Sequence, residues 1–347
     1  MKIKLICFSS AGRSLVEKIS EKLSSKGNEC EAYGKCTFIS ECNVIPVTQP
    51  LQVWTENAFH DSDAIIFVGA AGIAVRAIAP FVKTKVADPA IIVLDEKGIY
   101  SIPLLSGHMG GANSLAKTIA EITGAEAIIT TATDINGKFS VDSFAEERGM
   151  HISSMSYAKD ISAYILEKGS VGFKSDFPVE GNLPNGLVYA EDGDLGVHIT
   201  SSDLKGPFYK TLNLIPKTII VGLGCRKDTP AETIEELVIK VLKSNKLSIH
   251  SVKAAASIDL KMNEPGILSF CKKYSLGVSF FSKEELEGVD GDFSESSFVK
   301  SITGIGNVCE RAALKASDSG RLIQKKVAED GVTVALASEP FIVYLEK

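Results

Sequence analysis

Two consecutive stretches decide the fold: AIIFVGAAGIAVRAIAPFV (Ala64–Val82) and DPAIIVLDEKGIYSIPLLSGHMGGANSLAKTIAEITGAEAIITTATD (Asp88–Asp134). Ala64–Val68 is short, apolar and rich in β-branched side chains, the pattern of a buried strand. It stops at Gly69, and Gly72 follows where the chain must turn sharply into the next element. Val75–Val82 is a further short apolar segment that carries Arg76 and contains Pro80. Ala90–Leu94 and Ile99–Leu105 read as two more strands. Asp95-Glu96-Lys97-Gly98 between them has the composition of a hairpin turn.

Ser106-Gly107-His108-Met109-Gly110-Gly111-Ala112-Asn113 comes next, and Leu115, Ile119 and Ile122 then recur at helical spacing with Lys117 and Glu121 on the opposite side. A glycine-rich loop holding a serine, a histidine and an asparagine therefore opens onto a helix N-terminus. Free N–H groups and the positive end of the dipole there suit an anion or a developing oxyanion. Ala127–Thr131 reads as another strand, ending in the polar turn Thr133-Asp134-Ile135-Asn136-Gly137. In an α/β sheet such turns are expected to gather on one rim. Glycines at strand ends are also ordinary punctuation, but His108 sits between glycines with no apolar periodicity to bury it.

Outward from this stretch, 347 residues exceed a single core of ordinary size, so about two or three domains are expected. A chain 45% hydrophobic and 23% charged is that of a globular protein, and a net charge of -6 argues against nucleic acid or an anionic membrane as main partner. The seven cysteines show no paired spacing, which fits reduced thiols in the cytoplasm better than a disulfide framework. Cys30, Cys36 and Cys42 are evenly spaced. With no nearby histidine and without two-residue gaps they do not read as a metal site. MKIKLICFSSAG reads as a first strand, too short in its apolar part for a signal peptide, and nothing reaches the length of a membrane span.

Lys2–Phe8, the turn Ser9–Gly12 and a helix over Ser14–Leu23 form a βα opening, in which Ser9, Ser10, Gly12 and Arg13 offer a second small anion pocket. Trp54 lies in a helix, with His60 at its end. Asp142–Arg148 and Ile161–Leu166 are helical, whereas Asp176–Gly206 mixes Pro, Gly, Asn and Asp with short apolar runs, the composition of a small β-rich insert. His151 and His198 have no partner that the sequence can name.

Lys217–Val221 restarts the βα pattern. Gly222, Gly224, Cys225, Arg226 and Lys227 then lead to a helix with Thr229 as N-cap, Pro230 as its first residue and Glu232 as capping-box partner. Arg226 is the better carboxylate ligand of the two cations, since a guanidinium binds with two prongs. Ser251–Asp259 reads as a strand, and Asn263 caps a helix from Pro265. Lys261 and Glu264 in the loop between are expected to form a solvated ion pair. Ser282 and Glu285 form a capping box. Gly304-Ile305-Gly306-Asn307 enters a helix carrying Glu310 and Arg311, and Glu329-Asp330-Gly331 joins two final strands. The fold class is thus α/β: two outer α/β domains, 1–138 and 216–347, with a small β-rich middle insert, 139–215.

GAAGIAVRAIAP (Gly69–Pro80), KVADPAIIVLDEKG (Lys85–Gly98), LLSGHMGGANSLA (Leu104–Ala116) and TTATDINGKFSVD (Thr130–Asp142) resemble the amino-terminal region of the CbiG family of cobalamin biosynthesis, the cobalt-precorrin-5A hydrolases. VGLGCRKDT (Val221–Thr229), IDLKMNEPGIL (Ile258–Leu268) and GIGNVCERAAL (Gly304–Leu314) resemble the same family and the related CobE proteins. The middle, from about Phe139 to Leu214, matches only loosely.

The resemblance implies a substrate, a ring-contracted cobalt corrinoid carrying a lactone and fringed by acetate and propionate arms. It also implies a reaction, in which water opens the lactone and acetaldehyde leaves to give cobalt-precorrin-5B. Cobalt would arrive inside the substrate, with no cofactor of the protein's own, and neighbouring pathway enzymes would be partners. His108 has a suitable pKa range for the general base. The Gly110 and Gly111 amides with Asn113 would hold the oxyanion. Asp134 is a second proton acceptor, and Ser106 an alternative covalent nucleophile. Gly69, Gly72, Arg76, Asn136, Gly222, Gly224, Cys225, Arg226, Lys261, Glu264 and Glu310 complete the candidate substrate contacts. The ligand is expected in a cleft between the outer domains, with a hinge near Asn213–Lys217. Two other classes stay open, a corrinoid carrier without catalysis and a nucleotide or sugar-phosphate enzyme using the Gly69–Gly72 turn. Neither a Walker motif nor a full dinucleotide fingerprint supports the latter.

Overall fold

The computed structural model describes residues 1–36, 44–84, 87–107, 110–295, 301 and 304–345, and of Thr133 and Asp134 the backbone alone. It separates into two compact units, Met1–Glu146 and Glu147–Lys347.

The first unit is built on a seven-stranded sheet. In chain order its elements are β1 (Lys2–Cys7), α1 (Ser10–Ser25), β2 (Glu29–Gly34), β3 (Ile45–Pro46), α2 (Leu51–Asp61), β4 (Ala64–Val68), α3 (Ala71–Ile78), β5 (Ala90–Leu94), β6 (Tyr100–Leu105), α4 (Ala112–Thr123) and β7 (Glu126–Ala127). Two short helices follow, α5 (Ala132–Ile135) and α6 (Val141–Glu147). The spatial order is β3-β2-β1-β4-β5-β6-β7, parallel throughout except for the β5–β6 pair.

Strand alternation divides the core in two. Ile3, Leu5, Ile66, Val68, Ile92 and Leu94 pack with Val16 and Ile19 of α1 and Leu115 and Ile119 of α4. Their neighbours Ile6, Ile65, Phe67, Ile91 and Val93 face the other way, onto Trp54 and Phe59 of α2 and Ala74 and Ile78 of α3. Helices on both faces are why β4 and β5 carry an apolar side chain at every position. The hairpin forms as the sequence indicates, with Asp95 accepting from the Lys97, Ile99 and Tyr100 amides.

One strand is shorter than its sequence implies. Beyond Ala127 only the Ile128 amide still reaches β6, donating to the Ser101 carbonyl. Two residues further along the same edge stands Pro103, which has no N–H to donate, so pairing stops and the chain turns into α5.

The second unit holds two five-stranded sheets. β8 (His151–Ile152), α7 (Met155–Lys168), β9 (Val171–Ser175), β10 (Val179–Glu180), β11 (Leu187–Tyr189), β12 (Gly193–Ile199) and β13 (Phe208–Ile215) make up the middle region. Its sheet runs β11-β9-β12-β13-β8, parallel except where β8 meets β13. α7 covers it with Ala158, Ile161 and Ile165. Asn213–Ile215, read as a hinge, instead complete β13 and are buried, because Leu212, Leu214 and Ile215 belong to its core.

The remaining elements are β14 (Ile219–Cys225), α8 (Ala231–Ser244), β15 (Val252–Ile258), α9 (Pro265–Lys273), β16 (Gly277–Phe281), α10 (Lys283–Glu287), α11 (Cys309–Ala316), β17 (Arg321–Glu329), β18 (Val332–Ser338) and β19 (Val343–Tyr344). This sheet is ordered β16-β15-β14-β18-β17, with β14, β15 and β16 parallel and the β17–β18 hairpin antiparallel to them. α8 and α9 pack on one face, α10 and α11 on the other. The middle and last regions are joined by the β10–β19 pair, a Ser248 amide to Ser201 carbonyl bond of 2.9 Å, and a face-to-face stack of His151 on His250 with centroids 3.5 Å apart. His198 is also partnered, with Asp176 at 2.9 Å.

The capping box of Ser282 with Glu285 forms, but two other caps do not. Pro230 occupies the N-cap of α8 and the Thr229 hydroxyl donates backwards to the Arg226 carbonyl at 2.8 Å. α9 is entered through Glu264, not Asn263, since the Glu264 carboxylate is drawn to the Asp228 amide across the loop.

Candidate functional site

The candidate residues of the sequence fall in two sets, one in each unit. In the first unit the reversal of β6 separates them. Gly69 follows β4 at the carboxyl ends of the parallel strands, where its amide donates to the Leu94 carbonyl. Gly72 lies in the first turn of α3, and exposed Arg76 reaches back to its carbonyl at 3.4 Å. Ser106 ends β6 at the opposite rim, beside the start of β5, and its hydroxyl donates to the Asp88 carbonyl at 2.8 Å. The rims are separated by the length of β5, roughly 15 Å at ~3.3 Å per residue. The expectation of a single rim therefore fails, and the hairpin between β5 and β6 is the cause.

The loop after Ser106 is wound upon itself. Ser106 has a left-handed backbone (φ 56°), and its carbonyl accepts from the amides of Gly110 at 3.2 Å and Ala112 at 3.1 Å. Of the two amides read as oxyanion donors, that of Gly110 is thus committed. Gly111, at φ 72°, is the N-cap of α4. Asn113 is buried and donates to the Thr131 hydroxyl at 2.6 Å, which brings the turn before α5 to this same rim. Asn136 is exposed there and bonds to the Ala132 carbonyl. His108 lies outside the described residues, as does the side chain of Asp134.

In the second unit the predicted residues converge. Gly224, Cys225, Arg226 and Lys261 line one cavity of about 650 Å³ at the carboxyl ends of β14 and β15. The other walls are the entrance to α11, with Asn307 and Cys309, and the end of the β17–β18 hairpin, with Lys326, Asp330 and Thr333. β14 has β15 on one side and β18 on the other, so the cavity sits where the sheet's connections diverge, the usual place for a ligand in an open α/β sheet.

Close backbone approach shapes this cavity. A Cβ on Gly222 would lie 1.8 Å from the Cys309 carbonyl oxygen, and one on Gly266 2.1 Å from that of Thr229. Gly222 lets α11 lie directly on β14, so its role is packing and not a ligand cradle. Two buried carboxylates fix the walls. Glu264 accepts from the Asp228 amide at 2.6 Å and from the Lys261 ammonium at 2.8 Å. Only 5% of the Glu264 side chain and 19% of that of Lys261 are exposed, so this is an enclosed pair, not the solvated one the sequence suggested. Glu310 is fully buried and accepts from the Lys326 amide at 2.8 Å and the Ser294 amide at 3.1 Å. Burial alone would raise both carboxyls. The Lys261 ammonium and backbone amides outweigh it at Glu264, and the donors from Lys326, Ser294 and Asn307 outweigh it at Glu310, so both lie below the ordinary glutamate range.

The thiols at the cavity behave oppositely. Burial pushes Cys309 up to about 12 and raises Cys225 as well, so both stay neutral beside the cations. Lys326 and Asn307 are not among the candidate contacts that the sequence yields. Asn307 follows the flagged Gly304–Gly306 turn, and its side-chain oxygen accepts from the Glu310 amide at 2.9 Å. Lys326 sits in a strand whose only signal was a Lys-Lys pair. Among the described residues no group of three or more His, Cys, Asp and Glu gathers as a metal site, and Cys42 lies outside them. No helix of the described residues is long and apolar enough to cross a membrane.

Three family models cover most of the chain in order: Cobalamin synthesis G N-terminal over residues 53–134, the Cobalamin biosynthesis central region over 139–216, and Cobalamin synthesis G C-terminus over 219–337. A Salmonella typhimurium protein named cobalt-precorrin-5A hydrolase is 32% identical over 96% of this chain and 97% of its own length. The chain belongs to the cobalamin synthesis G family of hydrolases. A Priestia megaterium member of the same name is 30% identical over 87% of this chain and 85% of its own. Protein CobE from a Sinorhizobium species is 31% identical over 34% of this chain and 79% of its own length. The family's role is in cobalamin biosynthesis, and both clusters described above, Asn136 apart, fall within its matched segments.

Proposed function

We propose that this chain is a cobalt-precorrin-5A hydrolase of anaerobic cobalamin biosynthesis. Water adds to the lactone carbonyl of the corrinoid, and the ring opens to a carboxylate and an alcohol. The alcohol then loses its proton, its carbon–carbon bond to the macrocycle breaks, and acetaldehyde departs as the macrocycle takes up the electron pair, leaving cobalt-precorrin-5B. The observation that carries this reading is the likeness, along nearly the whole chain, to the Salmonella protein of that name.

His108 is the general base that activates water, in the loop between β6 and α4. Asp134, in α5 just beyond the Thr131 that Asn113 ties to that loop, is the second proton acceptor. Asn113 and the Gly111 amide face the oxyanion. Ser106 holds the loop in shape, since its hydroxyl proton is directed at a backbone carbonyl and not at a base. The second reading, a corrinoid carrier, is favoured by the CobE likeness of the last third. Incubating the isolated chain with the lactone substrate separates the two, because only a hydrolase consumes it and releases acetaldehyde. His108→Ala should lower turnover by about 10²-fold or more while the corrinoid still binds. Unchanged turnover removes His108 from the mechanism.

A further inference from the structure

We infer that the cavity at the carboxyl ends of β14 and β15 seats free carboxylate arms of the corrinoid, while Leu260 and Met262 at its edge meet the apolar ring. This rests on the reading of the chain as an enzyme of a corrinoid substrate and specifies where in the chain that substrate is held.

The charges of the cavity decide the ligand class. Arg226, Lys227, Lys261 and Lys326 line it against Glu329 and Asp330. Glu329 is already bonded to Lys240 at 2.5 Å, outside the lining. Lys261 is held by Glu264, whereas the side chains of Arg226, Lys227 and Lys326 form no hydrogen bond or ion pair with any described residue. Cations left without partners around a concavity are complementary to an anion, and the guanidinium fits a carboxylate with two parallel bonds. The neutral thiols of Cys225 and Cys309 leave that positive balance intact.

The cavity is also fixed in shape. Glu310 pins the β17 backbone at Lys326 to the entrance of α11, and Glu264 pins the loop after Arg226 to that after β15. A binding site held in place before the ligand arrives avoids an ordering cost on binding.

At about 650 Å³ the cavity takes arms and one edge of a macrocycle, not the whole ring. The ring's flat face needs apolar surface next to it. Leu260 is 66% and Met262 54% exposed, on the two sides of Lys261 in the turn that ends β15. Two large apolar side chains held out to water beside a cationic cavity match the two-part chemistry of a carboxylate-fringed ring.

The test uses the full chain and absorbance titration with cobyrinic acid, which carries the corrin ring and free carboxylates, and with its heptamethyl ester. The acid should bind at least tenfold more tightly than the ester. Arg226→Gln combined with Lys326→Gln should weaken the acid at least tenfold and leave the ester unchanged. Leu260→Ser with Met262→Ser should weaken both ligands several-fold. All four positions are at least partly exposed, and an unchanged melting temperature will verify that the variants fold. Ester binding as tight as that of the acid, or charge variants that bind the acid like the parent, would overturn the inference. Acetaldehyde release by the parent is read separately. Loss of acid binding without any release upholds the cavity and sinks the hydrolase reading, whereas release with unaltered binding by the variants does the reverse.

Discussion

The loop after β6 and the cavity beyond β14 are both glycine-rich entrances to a helix, yet they are built in opposite ways. Around Ser106 the glycines serve a local coil: Gly110 donates to a carbonyl four residues back, and a Cβ there would meet the Ser106 Cβ at 2.4 Å. Around Gly222 the glycine serves a contact distant in sequence, letting α11 rest on β14 through the Cys309 carbonyl. The first loop holds its polar groups close to home. The second frees Arg226, Lys227 and Lys326 by fastening only the backbone around them. A glycine-rich helix entrance is therefore not one kind of site, and what distinguishes the two is which partners the backbone takes.

The sharpest way to break this contrast is to add one methyl group to each. Gly222→Ala places its Cβ against a backbone oxygen between two packed layers, so it should cost about 3 kcal/mol or more in urea unfolding. Gly110→Ala should cost about 1 kcal/mol, because only a surface coil must shift. Equal losses would show the β6–α4 loop to be as deeply anchored as the sheet.

Glu310→Gln comes next. The glutamate is held ionised by backbone donors despite its burial, so its folded pKa lies below the ordinary 4.5. A carboxyl lowered in the folded state binds fewer protons than in the unfolded chain. Its contribution is present above about pH 4.5 and is lost as the pH falls through the folded value. The amide replacement should cost about 2 kcal/mol at pH 7 and flatten the decline of stability below pH 4.5. Unfolding curves at pH 7 and pH 4 check both parts, and a parallel offset at the two pH values would mean that the charge is not what staples the wall.

Ser106→Ala should have the smallest effect. It removes one bond to the Asp88 carbonyl, worth about 1 kcal/mol, and under the proposed reaction should slow acetaldehyde release without abolishing it. Complete loss of release in a folded variant would instead make Ser106 the covalent nucleophile and give the two loops a shared chemical role.

The strands of the first sheet were legible because burial on both faces writes an apolar residue at every position of β4 and β5. The hairpin was legible from Asp95 and Gly98. The consequence of the hairpin was harder to read: reversing β6 moves Ser106 to the rim opposite Gly69, a fact of topology and not of any local motif. The end of β7 was hidden for a similar reason, since it depends on Pro103 in the neighbouring strand. In the last sheet Arg226, Lys261 and Cys225 could be gathered from motifs near strand ends. Lys326 could not, because it sits where the β17 register shifts between Gln324 and Val327 and its amide turns to Glu310. The cap at Asn263 was misplaced because a tertiary bond from the Asp228 amide claims Glu264, and that at Thr229 because its hydroxyl turns back locally to the Arg226 carbonyl.

The position of β1 governs how the first unit comes into being. Its residues are followed directly in sequence by α1 and β2, yet in the sheet it also pairs with β4, Ile3 lying against Ala64. During synthesis one edge of that strand must wait unpaired while β2, β3 and α2 are made. Only when Ala64–Val68 emerges can the halves of the sheet close. Nascent chains stalled before that point should therefore stay open to proteases, and those stalled well after it should become resistant.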